Sequence, residues 1–252
     1  MLSIRENKIY FILFMLVLPA CLSAAESDVY VVPFSHFDLF WAGTKQECLS
    51  RGNRIITKAV QLATEYPEFR FLVEDNVWAA NYLESHRGLP EVDAFKRLVK
   101  KGQIELAPKW AGIYSNLPRG EAHVRNHIYG KRYAREVFGV DPQVTHMGDL
   151  PGYTSQYPQV LAKSGSPFVI MTRMGPPDCS RFNWRSPDGS KVLLWNAIKG
   201  YGWGVGLGLH RDMDEQAVRK GQTRDRAGAW YDYRSDLPGL GNGSVGSRRE
   251  TD

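Results

Sequence analysis

Short apolar runs alternate with segments of helical periodicity through most of the chain, and that alternation leaves few architectures open. Each strand must be returned by a helix that covers it, which gives an α/β fold with a parallel sheet. Residues 29–35 read as the first strand, and 51–63 as a helix with Ile55, Ile56, Ala59, Val60 and Ala63 at helical spacing. Residues 69–73 read as the second strand, 76–84 and 91–101 as helices, and "QIELAP" as the third strand. Residues 119–138 read as the longest helix, with Val124, Ile128, Ala134 and Val137 along one side and Gly139 as its stop. Strand, helix and strand follow at 143–147, 155–163 and 167–171. The rhythm then changes: "FNWRSPDGSKVLLW" predicts two antiparallel strands around a Pro-Asp-Gly-Ser turn.

The ends of the chain stand apart from this body, residues 26–215. Residues 1–25 combine a basic start, an apolar run and the small residues of "CLSAA", the pattern of a secretory signal peptide. Cleavage near Ala24 or Ala25 predicts a secreted or periplasmic protein, and Cys21 in "LPAC" leaves lipid anchoring as the alternative. The apolar run is too short for a comfortable transmembrane span. Residues 216–252 are rich in Gly, Arg, Ser and Asp and predict a divergent, disordered tail. Of the formal charge of +5, +1 falls in residues 1–25 and +2 in residues 216–252, and the +2 left on the body comes from interspersed acids and bases, so no nucleic-acid partner is expected. Cys48 and Cys179 could form a disulfide or remain separate thiols. The oligomeric state has no signal in the sequence.

Chemistry concentrates where strands end. In "VVPFSHFDLFWAG", His36 and Asp38 lie two apart, so both can face one ion at the carboxyl end of the first strand. Asp149, in "HMGDLPGYTS", follows the strand 143–147, and Arg173, in "VIMTRMG", follows the strand 167–171. Polar groups at the same end of three strands converge on one place, where parallel α/β folds build their sites.

These motifs resemble the catalytic domain of family 38 glycoside hydrolases, the retaining α-mannosidases, over roughly residues 29–215. The resemblance implies an incomplete (β/α)7-barrel-like domain that hydrolyses terminal α-mannosides in glycans with the help of Zn2+. It makes His36, Asp38 and Asp149 zinc ligands and Asp149, in "DLPG", the nucleophile. Arg173 orients that nucleophile and stabilises its charge. Trp41, three residues after Asp38, becomes a sugar-stacking wall, and Trp110 in "GQIELAPKWAG" a second sugar-facing residue. Phe34 stands where family members often carry a histidine. The family's fourth zinc ligand and its general acid lie in later segments that this chain does not match, so it is expected to be a truncated copy with little activity. Two alternatives remain: a metal-dependent carbohydrate deacetylase, which has no required place for Asp149 and Arg173 together, and a non-catalytic carbohydrate-binding remnant.

Other residues read as bystanders. His123 and His127 stand four apart on a helix and read as solvated, not as a metal pair. His146 reads as a packed strand residue. Glu74 and Asp75 either support the site from behind or start the next helix. "YGWGVGLGLH" reads as a loop near the substrate that includes Trp203, and nothing in the sequence positions His210.

Overall fold

The computed structural model describes residues 32–200, apart from positions 42, 151, 174, 198 and 199, together with residues 230–232. The expected signal peptide with Cys21, the loop with Trp203, and His210 lie outside the described residues, as does the tail apart from residues 230–232.

Helix α1 (Lys45–Glu65) starts six residues before the expected start at residue 51. The sequence signal for that start is Thr44-x-x-Glu47. The Glu47 backbone N–H donates to Thr44 Oγ1 at 3.3 Å while Glu47 Oε2 accepts from the Thr44 N–H at 2.7 Å. Two otherwise orphaned amides are thereby satisfied, which fixes the first turn ahead of any packing. The stripe itself, Ile55, Ile56, Ala59, Val60 and Ala63, is buried as expected. It packs with α2 (Asn76–Ser85), α3 (Pro90–Lys100) and the strands β2 (Phe71–Val73) and β3 (Ile104–Leu106) in the larger of the apolar clusters.

Among the described residues the strands form two four-stranded sheets. The first has the order β3-β2-β1-β8, with β1 at Val32–Phe34 and β8 at Trp230–Asp232, and its neighbours are parallel. The second has the order β4-β5-β7-β6. There β4 (Val144–Met147), β5 (Phe168–Met171) and β7 (Lys191–Asn196) run parallel, and β6 (Arg181–Arg185) pairs antiparallel with β7 as the expected hairpin. Phe34, Leu72 and Ala197 pack with Ile170, joining the two sheets. The result is an incomplete (β/α) domain of parallel strands with helices outside. Within the stretch read as a disordered tail, Trp230–Asp232 add a strand beside β1.

The segment 119–138 also differs from its reading. It is α4 (Gly120–Tyr133) followed by a π-helical turn (Ala134–Phe138), and α1, at 21 residues, is the longest helix among the described residues. Gly139 ends it in a left-handed conformation, φ 69°, as its position suggests. The buried face of α4 is not the apolar one. His123, Asn126, His127, Gly130 and Lys131 face inward, while Val124 and Ile128 are exposed. The histidines read as solvated are therefore interior. The physical reason is that each polar side chain on this face makes at least one hydrogen bond, although Nδ1 of His123 and Nδ1 of His127 have none among the described residues. His123 Nε2 donates to the Ser115 carbonyl at 3.1 Å, and His127 Nε2 is hydrogen-bonded to the Tyr157 hydroxyl at 2.9 Å. Asn126 bonds both N–H and carbonyl of Ala111, and Lys131 Nζ donates to the Gly165 carbonyl at 2.7 Å. Satisfied polar groups can be buried at little cost, so the hydropathy pattern loses its authority here. Burial, with the positive charges of Lys109, His123 and Lys131, holds His127 down at about 3, so its ring is neutral.

Cys48 and Cys179 are both free thiols, which decides between the two readings. Cys48 is buried and Cys179 half-buried. In the native protein, iodoacetamide is expected to label Cys179 well before Cys48, and denaturant to make both react. Equal native rates, read by peptide mass spectrometry, would contradict this packing of α1.

Candidate active site

The carboxyl ends of β1, β2 and β4 meet at one cleft of about 290 Å3, lined among others by His36, Asp38, Trp41, Glu74, Asp75, Lys109 and Asp149. His36 and Asp38 lie just past β1, which ends at Phe34. His36 Nε2 stands 3.1 Å from Asp38 Oδ1. The other ring nitrogen, Nδ1, is 3.1 Å from Glu74 Oε1 and 3.3 Å from Oε2. Glu74, nearly inaccessible, also accepts the Phe37 N–H at 2.5 Å and lies 3.2 Å from His146 Nδ1. His146 is a fully buried residue of β4, packed as expected, with its ring edge-on to Phe34 at 4.5 Å.

The electrostatics follow from these contacts. Burial is the largest influence on His36 and disfavours its cation. The charge of Glu74 and the hydrogen bonds to Asp38 and Glu74 together outweigh it and lift the ring to about 10. Burial would likewise raise Glu74, but the charge of His36 and the hydrogen bonds from His146 and His36 hold it far below the usual carboxylate range. Asp75 goes the other way. Burial dominates, only partly countered by Lys109, and lifts it to about 6. Its Oδ1 lies 2.6 Å from Lys109 Nζ, and its Oδ2 accepts the Gly112 N–H at 3.0 Å. Asp75 stands at the start of α2 without a side-chain capping bond, so supporting the loop after β3 is its observed role.

Asp149 follows β4 by two residues and is held by Arg173, whose Nη1 donates to Asp149 Oδ2. The pairing read from two strand ends is thus formed. Trp41 sits on the cleft wall with most of its ring in solvent, and Phe40 before it takes a left-handed φ of 70°. Such a conformation is costly for a residue with a Cβ and is found where a loop's shape matters. Trp110 is placed differently. Its ring packs edge-on against Tyr133 at 5.4 Å, and it is the neighbours Lys109 and Ala111 that line the cleft. A larger groove, about 470 Å3, lies between α4 and α5 (Tyr157–Lys163) and contains none of these chemical groups except His123 and Tyr157.

The sequence of the glycosyl hydrolases family 38 N-terminal domain matches residues 26–229. The chain belongs to glycosyl hydrolase family 38. That match runs past residue 215, where the resemblance in the sequence was read to end. Alpha-mannosidase G of Dictyostelium discoideum is 28% identical over 178 residues, covering 68% of this chain and 16% of that protein. Alpha-mannosidase 2C1 of Homo sapiens is 23% identical over 228 residues, covering 88% of this chain and 21% of that protein. The chain thus spans about a fifth or less of the length of these relatives. The crystal structure of an alpha-mannosidase from Enterococcus faecalis V583 superposes with a TM-score of 0.66 at 21% identity, over 78% of this chain and 23% of that one. The superposition shows a shared fold.

For this family 38 domain, the donor set can be tested against a metal. An imidazole nitrogen and carboxylate oxygens are the donors zinc takes. Glu74 occupies Nδ1 of His36, so the nitrogen directed toward Asp38 and the cleft is Nε2. The residues therefore fit zinc in kind. Coordination as first expected, with His36, Asp38 and Asp149 around one ion, is met in location only. Among the described residues no group of three His, Cys, Asp or Glu side chains stands together as an ion-holding set. The reason is local: Asp38 is turned onto His36, and Asp149 onto Arg173.

Proposed function

We propose that this chain carries the nucleophile and metal side of a zinc-assisted, retaining α-mannosidase site acting on terminal α-mannosides of glycans. The observation that carries the reading is the Asp149–Arg173 pair standing in one cleft with His36 and Asp38. His36, Asp38 and Asp149 would hold the zinc, whose Lewis acidity would bind and polarise vicinal hydroxyls of the sugar. Arg173 engages Oδ2 of Asp149 and fixes the carboxylate's orientation. Attack by the other oxygen on the anomeric carbon forms a glycosyl ester as the bond to the leaving oxygen breaks. Trp41 offers an exposed aromatic face to the C–H surface of the ring. A deacetylase reading has no comparable use for a carboxylate clamped by arginine.

Retaining hydrolysis also needs a second carboxyl to protonate the leaving oxygen. In the cleft, Glu74 is engaged by two histidines and Asp75 by Lys109, so neither is assigned that task. Turnover of unactivated mannosides by the chain as written is accordingly expected to be poor, and the test must not depend on the acid. A fluorinated α-mannosyl fluoride, whose leaving group departs without a proton and whose ester breaks down slowly, should label the zinc-supplemented protein. Peptide mass spectrometry is expected to place the label on Asp149, with none in Asp149→Asn. A label on another carboxylate, or none on a folded protein, would overturn the nucleophile assignment.

A further inference from the structure

We propose that Glu74 is the positioning residue of the site: its carboxylate fixes the ring of His36 so that Nε2 faces the metal position, and clamps β4 to the end of β1. The proposal rests on the metal reading above for its consequence, and on geometry for its substance. Three donors surround this one side chain. The Phe37 N–H lies 2.5 Å from Oε1, His36 Nδ1 3.1 Å from Oε1, and His146 Nδ1 3.2 Å from Oε2. They come from two sheets, because His36 and Phe37 follow β1 and His146 belongs to β4. A carboxylate only accepts, so His36 must present a protonated Nδ1 to it. For His36 that leaves Nε2, which without metal donates to Asp38 Oδ1 at 3.1 Å, as the nitrogen that could ligate once a metal displaces its proton, the arrangement in which a carboxylate behind a histidine orients a metal ligand. An amide offers one acceptor oxygen in place of two and cannot serve the three donors.

A second observation points to the same cluster. A Cβ built on Gly148 would come 3.0 Å from His36 Nδ1 and 3.2 Å from Glu74 Oε2. The backbone after β4 is therefore packed directly onto this hydrogen bond, one residue before Asp149. The missing side chain at position 148 is what lets the nucleophile's strand close on the imidazole's support.

The test reads the ring itself as well as the metal. In uniformly 15N-labelled wild-type protein without metal, long-range nitrogen–proton spectra should show a protonated Nδ1 on His36, assigned with a His36→Gln variant. Glu74→Gln should shift that signal and weaken zinc binding by about 10- to 100-fold in calorimetric titration with zinc chloride. Gly148→Ala, which alters no titratable group, should weaken zinc binding in the same direction. A wild-type His36 that carries its only ring proton on Nε2 overturns the proposal, as does unchanged zinc affinity in a folded Glu74→Gln. Should wild type bind no zinc while Glu74→Gln still shifts the Nδ1 signal, the positioning role stands and the metal reading falls. The wild-type spectrum decides the ring geometry even if Glu74→Gln does not fold.

Discussion

Replacing Gly130 by alanine is expected to cost about 3 kcal/mol or more, although the same change in an ordinary helix interior stabilises by about 1 kcal/mol. The sign reverses because of what lies against α4. A Cβ at position 130 would meet the Pro108 carbonyl oxygen at 2.2 Å, the Lys109 carbonyl carbon at 2.5 Å and the Trp110 nitrogen at 2.7 Å. These are backbone atoms, so no rotamer change relieves the overlap. The loop after β3 or the helix must move by most of an ångström. That loop is held elsewhere: Asn76 Nδ2 donates to the carbonyls of Ala107 and Lys109, and the Trp110 N–H donates to the Asn126 carbonyl. Movement breaks buried hydrogen bonds as well as packing, and it carries Lys109 away from Asp75. Thermal denaturation of Gly130→Ala should show a fall of roughly 6–12 °C for a chain of this size. Gly120→Ala is the control, since a Cβ there meets nothing within 4 Å. Equal melting temperatures for Gly130→Ala and wild type would mean that α4 does not sit against this loop.

Gly130 also illustrates what the sequence could not announce. Strand ends were legible because a buried parallel strand is a short apolar run, and polar residues just past one mark the face where sites form; His36, Asp38, Asp149 and Arg173 were found that way. Helix α1 was legible in its stripe, and its start was written as a capping box that periodicity alone overlooks. The inward face of α4 was not legible, because hydropathy assigns burial by apolarity whereas here satisfied hydrogen bonds and a glycine decide it. Glu74 was legible only as one of two acids after a strand. Its partners lie 38 and 72 positions away in the chain, and only the meeting of two sheets makes it central. β8 is the extreme case. Trp230–Asp232 carry no alternating or apolar run long enough to read as a strand, and pairing with the exposed edge of β1 supplies what local propensity lacks.

Lys109→Met is expected to be the other severe substitution, and its pH dependence identifies the cause. Lys109 Nζ and Asp75 Oδ1 form a buried ion pair at 2.6 Å, with both side chains about 95% inaccessible. Removing one partner of such a pair typically costs about 3–5 kcal/mol, because the remaining charge stays buried without compensation. For Asp75 the remaining surroundings are the Gly112 N–H and, next in sequence, the negative charge of Glu74. In the wild type Asp75 already sits at about 6. Its folded value therefore lies above the roughly 3.9 of an unfolded aspartate, so the folded state holds the proton more tightly. By linkage, this group's contribution to stability is favourable at low pH and is lost as pH rises from about 4 to about 6. Without the cation the folded value climbs further, and the window of loss extends upward beyond 6. The deficit of Lys109→Met relative to wild type should then be largest near pH 8 and shrink by more than half near pH 4.5, where folded Asp75 is protonated in both proteins. Asp75→Asn added to Lys109→Met removes the stranded charge and should recover most of the loss at pH 8. Urea denaturation of the four proteins at both pH values measures this as a double-mutant cycle. A pH-independent deficit, or a double variant no more stable than Lys109→Met, would assign the effect to packing of the lysine stem and remove the buried charge pair from the account of how the loop after β3 is held at the cleft.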